Sequence, residues 1–265
     1  MADLRQKTFK VGLVGRALAV FRVNGVVIYN DHDPNVQNQS SELELIAALL
    51  EYMETPQYLR KLLFRRRREL RYAGILPPLR TPHHALANEK NREGDFREAV
   101  VLHADDRRSI LELGLREKGV TNIKLEVGQR LTVRLLRRLD GDKFLVVPSA
   151  REETGEYWGF KVLRAENLRD ALSLVRADYI LGTSRYGKNI YESMSAIKGS
   201  NPKSMAIAFG GPFSGLYEIC KRQKVAPEKL FNVIVNTIPE QGAATVRTEE
   251  ALLATLALIN VLLRE

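Results

Sequence analysis

Apolar positions along the first seventy or so residues alternate between short β-branched runs and amphipathic runs. Thr8–Leu13 has the length of a strand, Val14–Phe21 has the pattern of a helix, and Val26–Tyr29 is a second strand-like run. Leu43, Leu45, Ile46, Leu49, Leu50 and Met53 recur at helical spacing. Ser41 and Glu44 ahead of most of them fit a capping box. Pro56 ends or restarts that helix, and Tyr58–Tyr72 again predicts helix. Gly74, Pro77, Pro78, Pro82 and the pair His83–His84 mark an irregular connection.

The texture changes between Gly94 and Pro148. Arg97–His103, Ser109–Leu115, Arg130–Leu136 and Lys143–Val147 read as short strands, with Asp140-Gly141 as a hairpin signal between the last two. These strands predict a small all-β barrel, most simply of the OB type, a fold that often binds single-stranded nucleic acid; a spacer or interface is the plainer role. Phe96 and Phe144 are the residues there able to stack on bases. From Tyr157 an α/β pattern resumes. Asn167–Leu174, Asn189–Ile197 and Leu216–Lys221 suit helices, and Tyr179–Leu181, Met205–Phe209 and Phe231–Val235 suit strands. Arg247 to Glu265 predicts a last helix that is apolar almost all round, which requires burial on several sides, by a second subunit or deep within the chain. The organisation expected is an α/β domain over 1–76 and 151–265, interrupted by a β-barrel over 77–150.

Candidate chemistry gathers near the carboxyl terminus. MAIAFGGPFSG (205–215) and FNVIVNTIPEQGAATVRTEEA (231–251) each begin as a strand and break into a Gly- or Pro-bearing loop. Ordinary strand-to-helix turns would look the same, but neighbouring loops of this kind make a pocket at the carboxyl edge of an α/β sheet. Gly210 and Gly211 let the backbone approach a ligand, and Pro212 and Pro239 stiffen the wall. GTSRYGKN (182–189) matches a phosphate-binding loop up to its last position, where Asn189 replaces the magnesium-binding hydroxyl, so a third pocket loop is the better expectation. A nucleotide hydrolase built on it would depend on Lys188. No dinucleotide fingerprint or nucleophile elbow is present, and His83 and His84 have no partners at metal spacing, so no metal is expected. The His pair is read as turn-stabilising or RNA-facing, and Cys220 as a packed thiol.

Charge adds a partner. The chain of 265 residues carries 41 Lys+Arg against 32 Asp+Glu, a net charge of +9, which favours a polyanion such as nucleic acid over a merely basic surface. RKLLFRRRRELR (60–71) concentrates that charge in arginines, whose planar fork suits phosphate oxygens. Hydrophobic residues at 45% allow a real core. One cysteine, no membrane-length apolar run and no secretory apolar segment point to a soluble cytoplasmic protein with no membrane partner.

GRALAVFRVNGVVIY (15–29), EYMETPQYLRKLLF (51–64), AGILPPLRTPHH (73–84), YWGFKVLRAENL (157–168), ILGTSR (180–185), AFGGPFSGL (208–216) and VNTIPEQGAATVRTEEALLATLALIN (235–260) carry a resemblance. The chain resembles the SPOUT superfamily of RNA methyltransferases. More narrowly, it is similar to the archaeal and eukaryotic branch with an inserted barrel, regarded as uridine-N3 methyltransferases of large-subunit ribosomal RNA. The resemblance implies a trefoil-knotted parallel sheet, a homodimer, RNA as partner and S-adenosyl-L-methionine as cofactor. Carried over by motif, the cofactor loops hold Thr183 and Ser184, then Gly210, Gly211 and Gly215, then Asn236, Ile238, Pro239, Gln241, Gly242, Thr245 and Val246. Arg16, in the first superfamily motif, and Arg185 are the implied catalytic residues; Arg65, Arg66, Arg67, Arg68 and Arg247 are the implied RNA-binding ones. Two departures stand out: Met1–Gln6 does not supply the strand with which family members usually open, and the loop after ILGTS reads RYGKN. A non-catalytic RNA-binding or ribosome-assembly protein and a protein methyltransferase are the alternatives.

Overall fold

The computed structural model describes residues 3–86 and 91–263. Its contacts form two compact units, one running to Leu50 and resuming at Lys161, the other Glu51–Phe160.

The first unit opens with helix α1 (Leu4–Val20), capped by the Asp3 carboxylate, which accepts from Gln6 N at 2.7 Å. The strand expected over Thr8–Leu13 is therefore part of a helix. Thr8, Val11, Gly12, Gly15, Leu18 and Ala19 are buried at helical spacing, and that stripe outweighs the local β-branched residues. Strand β1 (Gly25–Tyr29) follows. Helix α2 (Gln39–Glu54) is capped by Asn38, whose side chain accepts from Ser41 N at 2.9 Å. The capping box expected of Ser41 and Glu44 does not form, and Glu44 instead pairs with Arg164 at 2.8 Å.

In the second unit, helix α3 (Gln57–Leu63) stops well short of Tyr72, and only single 3-10 turns, Arg68–Leu70 and Ala73–Ile75, follow. Continuing the helix would stack like charges from the arginine run within one turn. Strands β2 (Phe96–Ala104), β3 (Ser109–Glu112), β4 (Lys118–Thr121), β5 (Arg130–Leu139) and β6 (Lys143–Pro148) close a barrel in the order β2-β3-β4-β6-β5. Its β4–β6 pair is parallel and the rest antiparallel, consistent with an OB-like barrel. Gly141 and Asp142 take the positive φ that a tight hairpin needs between β5 and β6. Phe144 is sealed in the core with Val101, Leu111, Val133 and Leu135, so it is not a base-stacking residue: strand alternation points it inward. β4 escaped the sequence pattern because it is short and carries Gly119 against Leu111 and Leu113.

The chain re-enters the first unit as β7 (Lys161–Ala165), parallel to β1. Helix α4 (Leu168–Val175) is capped by Asn167. β8 (Tyr179–Asn189), helix α5 (Ile190–Ser200), β9 (Met205–Ala208), helix α6 (Leu216–Arg222), β10 (Val233–Asn236) and helix α7 (Thr248–Leu262) complete it. The sheet order is β10-β8-β9, all parallel. One core cluster joins Leu168, Leu216, Ile219, Cys220 and Phe231, and another joins Leu181, Ile197, Val235, Ile259 and Leu262. Helix α7 buries Leu252, Thr255, Ile259 and Leu262 but leaves Leu253 52% and Val261 59% exposed, so a deep site within the chain does not explain its apolar character. The last two residues of the helix expected to reach Glu265 lie outside the described residues.

Candidate active site

The parallel sheet β10-β8-β9 carries three chain segments at its carboxyl edge. β8 pairs with β9 as far as Gly182↔Ala208. Against β10 its register jumps from Ile234↔Gly182 to Val235↔Lys188, so residues 183–187 leave the ladder and return to it. The GTSRYGKN segment is thus not a phosphate-binding loop. Lys188 is a ladder residue, Asn189 caps α5 by accepting from Tyr191 N at 3.1 Å, and a Cβ on Gly187 would fall 2.6 Å from the Val235 carbonyl carbon.

Hydrogen bonds sew the three segments together. Thr183 Oγ1 donates to Ala208 O at 2.9 Å. Arg185 Nη1 donates to Ala244 O at 2.9 Å, and Asn236 Nδ2 donates to Arg185 O at 3.1 Å. Thr248 Oγ1 donates to Gly210 O at 3.3 Å, while Gln241 Nε2 braces its own loop at Ala243 O, 2.8 Å. Ile238 N donates to the Asn236 side chain at 3.0 Å. Gly215 and Arg247 are the N-caps of α6 and α7, their amides held by Glu218 and Glu250. Thr183 and Ser184 are half-buried, and Pro239, Gly242 and Thr245 are exposed beside half-buried Ile238 and Val246.

The glycines differ in purpose. A Cβ on Gly210 would meet Ser214 O at 2.8 Å, and one on Gly211 would overlap the Asp31 carboxylate, so both are needed by the loop's own packing. Gly242 has nothing within 4 Å of a notional Cβ and faces open space. Arg16 is exposed on α1. Arg65–Arg68 belong to the other unit.

Sequence reasoning missed the support beneath the second loop. Asp33 is buried, accepts from Asn35 N at 2.9 Å and from the Ser214 hydroxyl, and faces Arg222 Nη2 at 3.3 Å. Arg222 also donates to Ser214 Oγ at 2.7 Å and to Asp31 O at 2.6 Å. The Ser214 hydrogen bond, with those of Asn35 and the Arg222 charge, outweighs desolvation and holds the Asp33 carboxyl below its ordinary range. The turn after β1 is thereby bolted to the loop after β9, and Tyr29 OH adds a bond to Phe209 O at 2.7 Å. DHDPN (31–35) offered only an Asx-turn signal; its partner lies 181 positions away.

The second unit buries a denser charge cluster. Glu98 accepts from Arg130 Nε at 2.6 Å, Thr132 Oγ1 at 2.6 Å and Trp158 Nε1 at 2.8 Å. Burial pulls its carboxyl up, yet Arg130 and these donors, with Arg151, bring it net below the usual glutamate value. Glu54 takes Arg130 Nη1 at 2.6 Å, but burial prevails and raises it. His83 and His84 both contact Glu54 O at 2.9 Å. Burial lowers His83 to about 3 and His84 to about 4, so both rings are neutral at ordinary pH. The pair stabilises the turn; His83 is fully enclosed and does not face RNA.

Among the described residues no group of three His, Cys, Asp or Glu is placed to hold a metal ion, and no helix is long and apolar enough to cross a membrane. At the sheet edge the segments carry hydroxyls and carboxamides, braced on the loops' own backbone, beside half-buried Ile238 and Val246. Polar groups beside an apolar pair are the kind of lining an adenosyl group takes. Residues 1–259 match the family described as "Putative RNA methyltransferase". The chain belongs to this family. The chain is 33% identical over 287 residues to the 28S rRNA (uridine-N(3))-methyltransferase of Drosophila melanogaster, covering 96% of this chain and 58% of the fly protein, so it spans less than two thirds of that relative. It is 32% identical over 285 residues to the Homo sapiens protein of the same name, covering 96% of this chain and 73% of the human one. A Haloarcula marismortui protein is 32% identical over 279 residues, covering 98% of this chain and 94% of its own length.

Proposed function

We propose that this methyltransferase uses S-adenosylmethionine to methylate N3 of a uridine in large-subunit ribosomal RNA. The observation that carries the reading is the convergence of three strand-end segments on one edge of a parallel sheet, in a chain of an RNA methyltransferase family. The activity for which the fly and human relatives are named supports the choice of atom and RNA.

When bound, S-adenosylmethionine supplies a methyl group activated by a positively charged sulfur. Thr183, Ser184, Gly210, Gly211, Gly215 and the segment Asn236–Val246 hold it, through backbone and hydroxyl groups. Uridine N3 must lose its proton to become nucleophilic, and a guanidinium beside it stabilises the resulting negative charge. Arg16 and Arg185 take that part. Arginine stays protonated and so positions and stabilises rather than accepting the proton. Arg185 commits one N–H to Ala244 O, which leaves other donors of its five for substrate. Arg247 and Arg65–Arg68 contact RNA phosphates. In this reading the carboxyl-terminal segment forms a trefoil knot. Two copies pair through α1 and α7, whose exposed Phe9, Leu13, Leu253 and Val261 are an apolar surface in need of cover.

Calorimetry with S-adenosylmethionine, followed by nucleoside mass spectrometry of ribosomal RNA incubated with both, tests the proposal. Donor binding and N3-methyluridine are expected; no donor binding at millimolar ligand, or a methyl group on another atom, refutes it. Val261→Glu is expected to yield monomers in sedimentation, and an unchanged dimer refutes the α1/α7 interface.

A further inference from the structure

Within the unit Glu51–Phe160, Arg65–Arg68 and Arg71 line an open groove of about 440 Å³, with Tyr52 and Phe64 in its wall. No carboxylate lines it, and Glu69, the one acid inside the arginine run, is not among its lining residues. The groove exists because α3 ends at Leu63. Phe64 then takes an extended conformation, and Arg65–Arg67 follow outside any helix before the single 3-10 turn Arg68–Leu70.

The aromatic pair is fixed before any ligand arrives. Tyr52 and Phe64 meet edge to face, with centroids 5.3 Å apart at 71°. The Arg60 guanidinium lies 4.5 Å over the Tyr52 ring, and is itself anchored on Thr55 O at 2.9 Å and Met53 O at 3.2 Å. Half-buried rings beside a concentration of guanidiniums combine two affinities. Planar guanidinium forks grip phosphate oxygens in pairs, and an aromatic surface takes the face or edge of a nucleobase whatever its identity. The size suits one small ligand, not a duplex.

We propose that this groove holds one unpaired nucleotide of the RNA substrate, its base against Phe64 and Tyr52 and its flanking phosphates on Arg65–Arg68 and Arg71. The proposal rests on the RNA methyltransferase reading only for the kind of polyanion.

Fluorescence anisotropy with a short labelled oligouridine, and competition by inorganic polyphosphate, test it on the full chain. Phe64→Leu is expected to weaken oligouridine binding about fivefold or more, the size of one lost stacking contact, and to leave polyphosphate affinity unchanged. Arg66→Gln with Arg67→Gln is expected to weaken both ligands and to flatten the salt dependence of oligouridine binding by about 0.7 in log–log slope per lost phosphate contact. Equal oligouridine affinity in Phe64→Leu and the parent overturns the proposal. So does an equal loss for polyphosphate, which would describe a charged surface without a base site. Should Phe64→Leu not fold, Phe64→Trp replaces it: oligouridine is expected to quench the new indole and polyphosphate is not, and absence of quenching overturns the proposal. Calorimetry with S-adenosylmethionine on the same proteins separates the readings. A parent that binds no donor refutes the donor pocket and leaves the groove result standing.

Discussion

Asp33 and Glu98 are both buried carboxylates held below their ordinary range by donors, but their settings differ. Glu98 sits among side chains of one closed barrel and its neighbours: Arg130, Thr132 and Trp158. Asp33 reaches from the turn after β1 to Ser214, in the loop after β9 that is proposed to hold the donor, and to Arg222 at the end of α6. A perturbed carboxylate therefore marks fold stability in one unit and placement of a loop proposed to bind the donor in the other. Perturbation alone does not locate an active site; what the neighbouring backbone does decides.

The sharpest way to break the comparison is Glu98→Ala. It leaves the Arg130 charge buried with only Glu54 to balance it, and is expected to cost about 3–5 kcal/mol of stability in urea unfolding. A loss of donor affinity without loss of stability would reverse the role assigned to Glu98. Acid comes next. Below about pH 6.5 the unfolded chain protonates His83 and His84, whereas the folded rings resist until about 3 and about 4 respectively. The unfolded state then binds more protons, so stability falls with falling pH, by roughly 1 kcal/mol per ring per pH unit inside that interval. Glu54, raised by burial, opposes this over its own interval above the ordinary glutamate value. Thermal unfolding between pH 7 and 4 checks the sign, and His84→Gln should flatten the slope.

Asp33→Ala is expected to cost about 1–3 kcal/mol through unsatisfied groups at Ser214 and Arg222. Most of it should appear as weaker S-adenosylmethionine binding by calorimetry, with Asp33→Asn recovering part because an amide oxygen still accepts from Ser214. If melting shifts while donor affinity does not, Asp33 is structural like Glu98. The smallest effect tests open space: Gly242→Ala should change stability by less than about 0.5 kcal/mol yet weaken the donor, since its Cβ would meet no protein atom within 4 Å.

Much of this architecture was legible in the sequence where one strand or helix carried a clean period. β2, β5 and β6, the hairpin at Gly141, and the succession from α4 to α7 were read close to their bounds because alternation or a capping Asn announced them, except β8, expected over Tyr179–Leu181 and running to Asn189. The misreadings share a cause. Thr8–Leu13 and Tyr58–Tyr72 were judged on local residue type, and burial of the α1 stripe and repulsion within Arg65–Arg68 overruled it. The three strand-end segments were legible from their glycines and prolines, and the structure bonds them to one another. The brace of Asp33, Ser214 and Arg222 was not, because hydrogen bonds between distant positions leave no periodic trace. The packing demand at Gly210 and Gly211, against Ser214 and Asp31, was not legible either, and it stands beside the donor role proposed for them.

The excursion at residues 183–187 has an evolutionary corollary. It is anchored on the β10 ladder before it, at Gly182, and after it, at Lys188. Adding or deleting residues there lengthens or shortens a closed detour without slipping the register of either flank. Descendants of this fold can retailor the rim of the proposed cleft while the sheet beneath keeps its pairing, and Arg185, Tyr186 and Gly187 of the unusual RYGKN stretch lie within the detour.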